Sequence, residues 1–140
     1  MKNILFLCTG NSCRSQMAEG WGKHLLGDQF QFFSAGTKKH GLNSRAVKVM
    51  SEVGVDISGH ESNTLDEIKH SLDLIITVCA DADQNCPFVP GAKIIHHGFD
   101  DPPALTHDMS DEEDILIEYR RVRDEIKNMI ENLHSVIMEI

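Results

Sequence analysis

No apolar run in these 140 residues approaches the length needed to cross a membrane. The apolar start Ile4-Leu5-Phe6-Leu7, after Met1-Lys2-Asn3, is also too short for the core of a secretory signal. A soluble, cytoplasmic chain with no membrane partner is expected. Positive charge is scarce: 13 lysines and arginines face 22 aspartates and glutamates, for a formal net charge of −9. That balance argues against nucleic acid as a partner, which would demand an extended basic surface. An anionic ligand would have to be held by a local group of donors against the general field, which points to a small molecule. Several motifs are missing as well. There is no G-x-G-x-x-G, no phosphate loop with a following Gly-Lys-Ser/Thr, and no H-E-x-x-H. The eight histidines have no metal-ligand spacing, and His96-His97 adjoins a strand end where both rings cannot face one way. They read as surface or packing residues, and no metal is assigned. Cysteines number only four. A chain of this length needs no disulfide staples, so in a reducing compartment they read as thiols with chemistry. Repeats, linkers and low-complexity segments are absent. One domain over 1–140 is expected, and nothing requires more than a monomer.

What is present alternates strand and helix. Residues 3–7 form a continuous apolar run, as in a central parallel strand covered on both faces. Met17, Trp21 and Leu25 recur every four residues and predict a helix over 15–26, in which Gly20 and Gly22 permit close packing. A second strand is predicted over 29–34. Asn43 is placed to cap a helix carrying Ala46, Val47, Met50 and Val53. Thr64 and Glu67 have capping-box spacing for a short helix over 64–70. Residues 72–79 read as a third strand, ending on Cys79 as the first ends near Cys8, and 92–96 as a fourth. Residues 98–103 read as a loop. Ser110 and Glu113 signal the start of the longest helix, whose apolar stripe runs from Ile115 to Ile137. The order predicts a three-layer α/β sandwich on a four-stranded parallel sheet, with Cys8 and Cys79 on one rim beyond the strand ends.

The stretch Cys8-Thr9-Gly10-Asn11-Ser12-Cys13-Arg14-Ser15 carries the chemistry. Five residues between Cys8 and Arg14 let the backbone curl with several N–H groups inward, and a helix beginning near Ser15 adds the positive end of its dipole. Such a ring fits a tetrahedral oxyanion. The same donors and Arg14 favour the charged form of Cys8, which is expected to be held largely as thiolate. Ser15 is placed to donate its hydroxyl to Cys8 and to cap the helix. Asn11 is expected to fix the loop's shape, with Thr9, Gly10 and Ser12 completing the ring. Cys13 has no necessary role and is read as packing or as a site of adventitious oxidation.

The run from Cys8 through Gln16-Met17-Ala18-Glu19-Gly20 resembles the low-molecular-weight tyrosine phosphatase superfamily, and most closely its thioredoxin-coupled arsenate reductases. Ser34-Ala35-Gly36, Thr77-Val78-Cys79-Ala80-Asp81-Ala82-Asp83, Asn85-Cys86-Pro87, Gly98-Phe99-Asp100-Asp101-Pro102 and Arg121-Val122-Arg123-Asp124-Glu125-Ile126 support the likeness over nearly the full length. It implies a low-molecular-weight phosphatase-like fold and a relay. In that relay Cys8 attacks arsenate and forms a thiol–arsenic adduct. Cys79 then attacks Cys8, releasing arsenite and leaving a Cys8–Cys79 disulfide. Cys86 converts it to Cys79–Cys86, which thioredoxin reduces. No tightly bound cofactor is implied. Asp101 matches the position of the family's general acid before proline, with Asp100 its neighbour. Cation-sensitive members place oxygens at positions matching Asn11, Glu19, Ser34 and Asn63, but Asn63 stands where they carry an acid, and no cation is assigned.

Physical reasoning leaves the choice of chemistry open between two enzymes. A phosphatase needs one thiolate, so Cys8, Arg14 and Asp101 would suffice. A thiol-driven reductase consumes two thiols per two-electron step. The C-x6-C pair Cys79 and Cys86 favours the reductase, its connection 80–85 being polar or small and read as flexible. Pro103, where phosphatases of the family commonly have an aromatic, points the same way. A thiol sensor or zinc module from four cysteines is a third possibility, weakened by poor spacing and by Arg14 among them.

Overall fold

A computed structural model describes all 140 residues. Four strands, β1 (Asn3–Cys8), β2 (Gln31–Gly36), β3 (Leu74–Thr77) and β4 (Lys93–His96), form one parallel sheet in the order β2-β1-β3-β4. Six helices accompany them: α1 (Arg14–Leu26), α2 (Ser44–Glu52), α3 (Ala80–Asn85), α4 (Pro102–Leu105), α5 (Glu112–Glu131) and α6 (Leu133–Met138). This is the expected three-layer α/β sandwich. The chain leaves β1 toward β2 on one side and later fills β3 on the other, so the crevice of an open α/β sheet falls at the end of β1. Registers align Cys8 with Gly36, Leu7 with Thr77 and Thr77 with His96, bringing the carboxyl ends of all four strands to one rim.

Burial explains why β1 has no alternation: Ile4, Leu5, Phe6 and Leu7 are all fully buried. Phe6 stacks on Phe32 of β2 with ring centroids 5.9 Å apart. Helices α1 and α5 pack on each other, and Trp21 Nε1 donates to Arg123 O at 3.1 Å across them. Gly20 and Gly22 permit the close packing read from the sequence, because a Cβ would stand 2.6 Å from Ile57 Cγ2 and 2.7 Å from the Phe32 ring respectively. No helix is long and apolar enough to cross a membrane.

Several boundaries differ from expectation. The strand predicted over 29–34 lies at Gln31–Gly36, because Gln29 and Phe30 amides turn back to Leu26 O. The Thr64–Glu67 capping box forms, but it opens only the 3-10 turn Leu65–Glu67, which buries no residue and has no apolar face to extend it. The connection 80–85, read as flexible, is helix α3: Cys79 Sγ caps it by accepting from Ala82 N at 3.4 Å, Asp81 and Asp83 occupy its first turn, and Ala82 is fully buried. Part of the predicted loop 98–103 likewise opens α4, with proline at its first position. The long helix is capped by Asp111, which accepts from Asp114 N, and not by Ser110. It stops at Asn132, whose side chain turns back to Asn128 O, and the apolar stripe resumes in α6 with Leu133 and Ile137 buried.

Candidate active site

Between β1 and α1, residues 9–13 curl around a ring held from outside. Every carbonyl from Cys8 to Cys13 is engaged: Thr37, Lys38, His40 and Asn43 amides bond Cys8, Thr9, Gly10 and Ser12 oxygens, Gln16 and Ser62 side chains bond Asn11 O, and Met17 N bonds Cys13 O. None of the backbone N–H groups of residues 9–14 has a protein acceptor. Carbonyls tied outward and amides left free make an anion cradle. Gly36 is needed for it, since a Cβ there would lie 2.5 Å from Lys38 O and 2.6 Å from Thr9 O, both backbone atoms.

Asn11 is the frame of the ring. It is fully buried with φ of 48°, in the left-handed region that asparagine tolerates. Its Nδ2 donates to Ser15 Oγ at 2.8 Å and Ser34 Oγ at 2.9 Å, and its Oδ1 accepts from Asn63 N at 2.7 Å. Ser34 in turn donates to Glu19 Oε1 at 2.5 Å, while Lys23 Nζ pairs with Glu19 Oε2. The Asn63 side chain donates to Glu61 O. Of the four positions matched to a cation site, Glu19 thus already carries its own cation, and no group of three or more His, Cys, Asp or Glu side chains is gathered for a metal. The helix begins at Arg14 with Cys13 as its N-cap and no side-chain cap, so Ser15 does not cap it. The Ser15 hydroxyl accepts from Asn11 Nδ2, and its backbone N–H is among the groups that favour the charged form of Cys8.

A cavity of about 320 Å3 opens over the ring, lined by Cys8, Thr9, Gly10, Ser12, Cys13, Arg14, His40, Asn43, Asp101 and Pro103. Arg14 is buried; Nη1 donates to Phe99 O at 3.0 Å, Nη2 stands 3.6 Å from Asp101 Oδ2, and Nε is buried with no partner. Asp101 ends the preceding loop at the N-cap of α4, with its carboxylate half-exposed in the cavity. Asp100 points elsewhere, onto Arg121 at 3.0 Å. His40 and Asn43 were not among the residues expected here, whereas Pro103 stands beside Asp101 as the family's substrate-gripping position implies. His40 fits because Gly10 has no side chain, a Cβ there falling 2.3 Å from His40 Nδ1. The link of His40 N to Gly10 O fixes its place, and nothing in the local sequence announces that contact.

All four cysteines are free. Cys79 Sγ lies 3.3 Å from Thr9 Oγ1 of the ring, and Cys8 and Cys79 influence each other strongly enough to titrate as a pair. Cys79 is pushed down to about 5, chiefly by the neighbouring Cys8 thiol, against its burial, and further by Thr9 Oγ1, the Ala82 N–H and Arg14. Cys8 is pushed up, first by Cys79 and then by burial, against Arg14 and the Ser15 N–H. The pair therefore loses one proton readily and keeps the second. The expectation that Cys8 is held largely as thiolate is corrected: the readily lost proton belongs to the pair, and the directions put the first charge on Cys79, because a second charge nearby would be repelled. Cys13 is pushed up to about 12 by burial, then by Asp101. Cys86 caps the far end of α3, partly exposed, its thiol raised by burial and then by Asp83.

Comparison with known proteins agrees with this geometry. The low molecular weight phosphotyrosine protein phosphatase family model matches residues 3–139. Arsenate reductase 2 of Staphylococcus epidermidis is 53% identical over 136 residues, covering 96% of this chain and 97% of its own. Among solved structures, an arsenate reductase in its reduced state superposes with a TM-score of 0.76 at 32% identity, over 98% of this chain and 99% of its own. A thioredoxin-dependent arsenate reductase of Corynebacterium glutamicum superposes with a TM-score of 0.74 at 26% identity, over 99% of this chain and 62% of its own. The chain belongs to the low molecular weight phosphotyrosine protein phosphatase family, and its relatives at half identity within that family are arsenate reductases.

Proposed function

We propose that this protein reduces arsenate to arsenite, with thioredoxin as the electron donor. Arsenate sits on the free amides of residues 9–14 and the unpartnered Nε of Arg14. The charge of the pair passes to Cys8 when the Cys8 proton moves to Cys79. Cys8 Sγ attacks arsenic; a hydroxyl leaves as water, protonated by Asp101 from beside Arg14. Cys79 Sγ next attacks Cys8 Sγ, its proton passing to an oxygen of the departing arsenite. The sulfur–arsenic bond breaks, its electron pair stays on arsenic as arsenite, and a Cys8–Cys79 disulfide forms. Cys86 then displaces Cys8 to give Cys79–Cys86, which a dithiol partner reduces.

The observation that carries this reading is Cys79 set against the oxyanion loop, its Sγ 3.3 Å from Thr9 Oγ1, since a phosphatase has no use for a second thiol beside its nucleophile. Cys86 does not yet reach Cys79. Seven residues at helical rise separate their Cα atoms by about 10 Å, beyond the roughly 7 Å that a disulfide spans, so α3 has to unwind. The test is arsenate-dependent oxidation of reduced thioredoxin, with mass spectrometry of the disulfide formed. Cys79→Ser is expected to permit one thiol–arsenic encounter and no turnover; normal turnover by that variant would sink the relay. Phosphate-ester hydrolysis that survives Cys79→Ser, with no oxidation of thioredoxin by wild type, would favour a phosphatase using Cys8, Arg14 and Asp101.

A further inference from the structure

Helix α3 is tied down at a point the oxyanion site does not use. Asp83 lies between the two relay cysteines, and its Oδ1 accepts from Thr77 Oγ1 at 3.2 Å and stands 3.9 Å from His96 Nδ1. His96 Nδ1 is itself 2.8 Å from Thr77 Oγ1. Thr77 is fully buried at the end of β3, and His96 ends β4 beside it in register. The hydroxyl has one proton to give. When it goes to Asp83, the short contact with His96 requires Nδ1–H as donor, which orders the chain from imidazole to hydroxyl to carboxylate. Six residues of helix are too few to be stable alone, so ties of this kind decide whether α3 stays wound.

A second tie is weakened during turnover. Cys79 Sγ caps α3 by accepting from Ala82 N, and it accepts best as a thiolate. A neutral Cys8–Cys79 disulfide is a poor acceptor, so oxidation weakens that cap and leaves the bond from Thr9 to Asp81 in the first turn and the clasp on Asp83. We propose that Asp83, clasped by Thr77 and His96, is a positioning residue that holds α3 wound after the first disulfide forms and so times the arrival of Cys86 at Cys79. This rests on the relay proposed above. The step it times needs no outside oxidant: Cys86 thiolate attacks Cys79 Sγ, the Cys8–Cys79 bond breaks, and its electron pair leaves on Cys8. Asp83 also acts on Cys86 directly, as the second cause, after burial, of that thiol's raised value. The titratable groups around the clasp are His96 from β4 and Cys86 at the end of α3, Asp81 being engaged by Thr9 and Asn85.

Two variants of the whole protein separate the contact from the charge. Thr77→Val removes the hydroxyl and keeps the carboxylate. Asp83→Asn keeps an acceptor for Thr77 and removes the charge, at a side chain that is 46% exposed and tolerates change. In the reduced protein, amide exchange of residues 81–86 is expected to be about tenfold faster in Thr77→Val, the loss of one hydrogen bond to a charged group. The pH profile of Cys86 alkylation is expected to move to lower pH in Asp83→Asn. After a single arsenate turnover, the Cys79–Cys86 disulfide is expected to form faster in both, with the burst of arsenite unchanged. Exchange within twofold of wild type in Thr77→Val, together with an unmoved alkylation profile in Asp83→Asn, overturns the clasp. A wild type that never forms the Cys79–Cys86 disulfide, while exchange and alkylation respond as expected, overturns the relay and the timing role but leaves the hold on α3 established.

Discussion

Replacing Asn11 tests whether the ring is framed by one buried side chain. Asn11→Ala removes three hydrogen bonds, two buried ones to Ser15 and Ser34 and a part-buried one from Asn63. At about 1 kcal/mol each, they contribute about 3 kcal/mol. The backbone adds to this, because alanine at φ of 48° costs about 1–2 kcal/mol that asparagine largely escapes. The expected loss is about 4–5 kcal/mol, a large share of the roughly 5–15 kcal/mol that holds a domain folded. Asn11→Gly loses the same bonds but takes the left-handed conformation freely, so it should be less damaging than alanine by about 1 kcal/mol. Urea unfolding followed by circular dichroism reads both. With a slope of about 2 kcal/mol per molar, the alanine variant should unfold about 2 M earlier than wild type. A loss under 1 kcal/mol for alanine would refute the framing role, and glycine equal to or worse than alanine would refute the backbone part of the argument.

Other consequences follow from the same geometry. Arg14→Lys replaces a planar fork, shared among Phe99 O, Asp101 and the cavity, with a point charge; kcat/KM for arsenate is expected to fall at least about 100-fold with folding intact, and a loss under threefold would count against the site. Thiolate absorbance at 240 nm should show one ionisation with a midpoint near 5, and Cys8→Ser should move it upward by removing its largest cause; an unmoved midpoint would deny the pair. Stability follows in sign. Cys79, lowered from 9.0, contributes stability that is complete above pH 9 and lost as pH falls through about 5, whereas Cys8, raised from 9.0, contributes stability complete below 9 and lost above its folded value. Gly22→Ala gains about 1 kcal/mol of helix propensity but drives a methyl to 2.7 Å from the Phe32 ring, so a net loss of about 1 kcal/mol is expected in thermal unfolding, and a rise in Tm would show that the ring yields.

Much of the scaffold could be read in advance because its signals are local. The unbroken apolar run of β1, the Asn43 cap and the heptad-like stripe of α5 each state their own structure, and the parallel sheet follows from their order. Errors arose where a local signal was outweighed. The Thr64–Glu67 box formed as written and still produced no helix, since a cap begins a helix that burial must then sustain. Residues 80–85 look like linker by composition and are helical because a sulfur caps them and Ala82 is buried.

The site divides in the same way. Cys8, Arg14 and Asp101 stand together in one cavity, as their motifs predict, whereas His40 enters it through a backbone link to Gly10 that spans 30 positions of chain. The location of the negative charge was the least legible property. Reasoning from the ring alone puts it on Cys8, because every donor counted there belongs to the octet. Cys79 changes that result from outside the octet, and Thr9 links the two, its hydroxyl lying 3.3 Å from Cys79 Sγ and 3.0 Å from Asp81 Oδ2, so the loop that receives the oxyanion also grips the start of α3. The readily lost proton thus belongs to Cys8 and Cys79 together, and in the proposed relay each attack needs its own deprotonation: bonding to arsenic consumes the charge on Cys8, so Cys79 must give up a proton in order to displace arsenite.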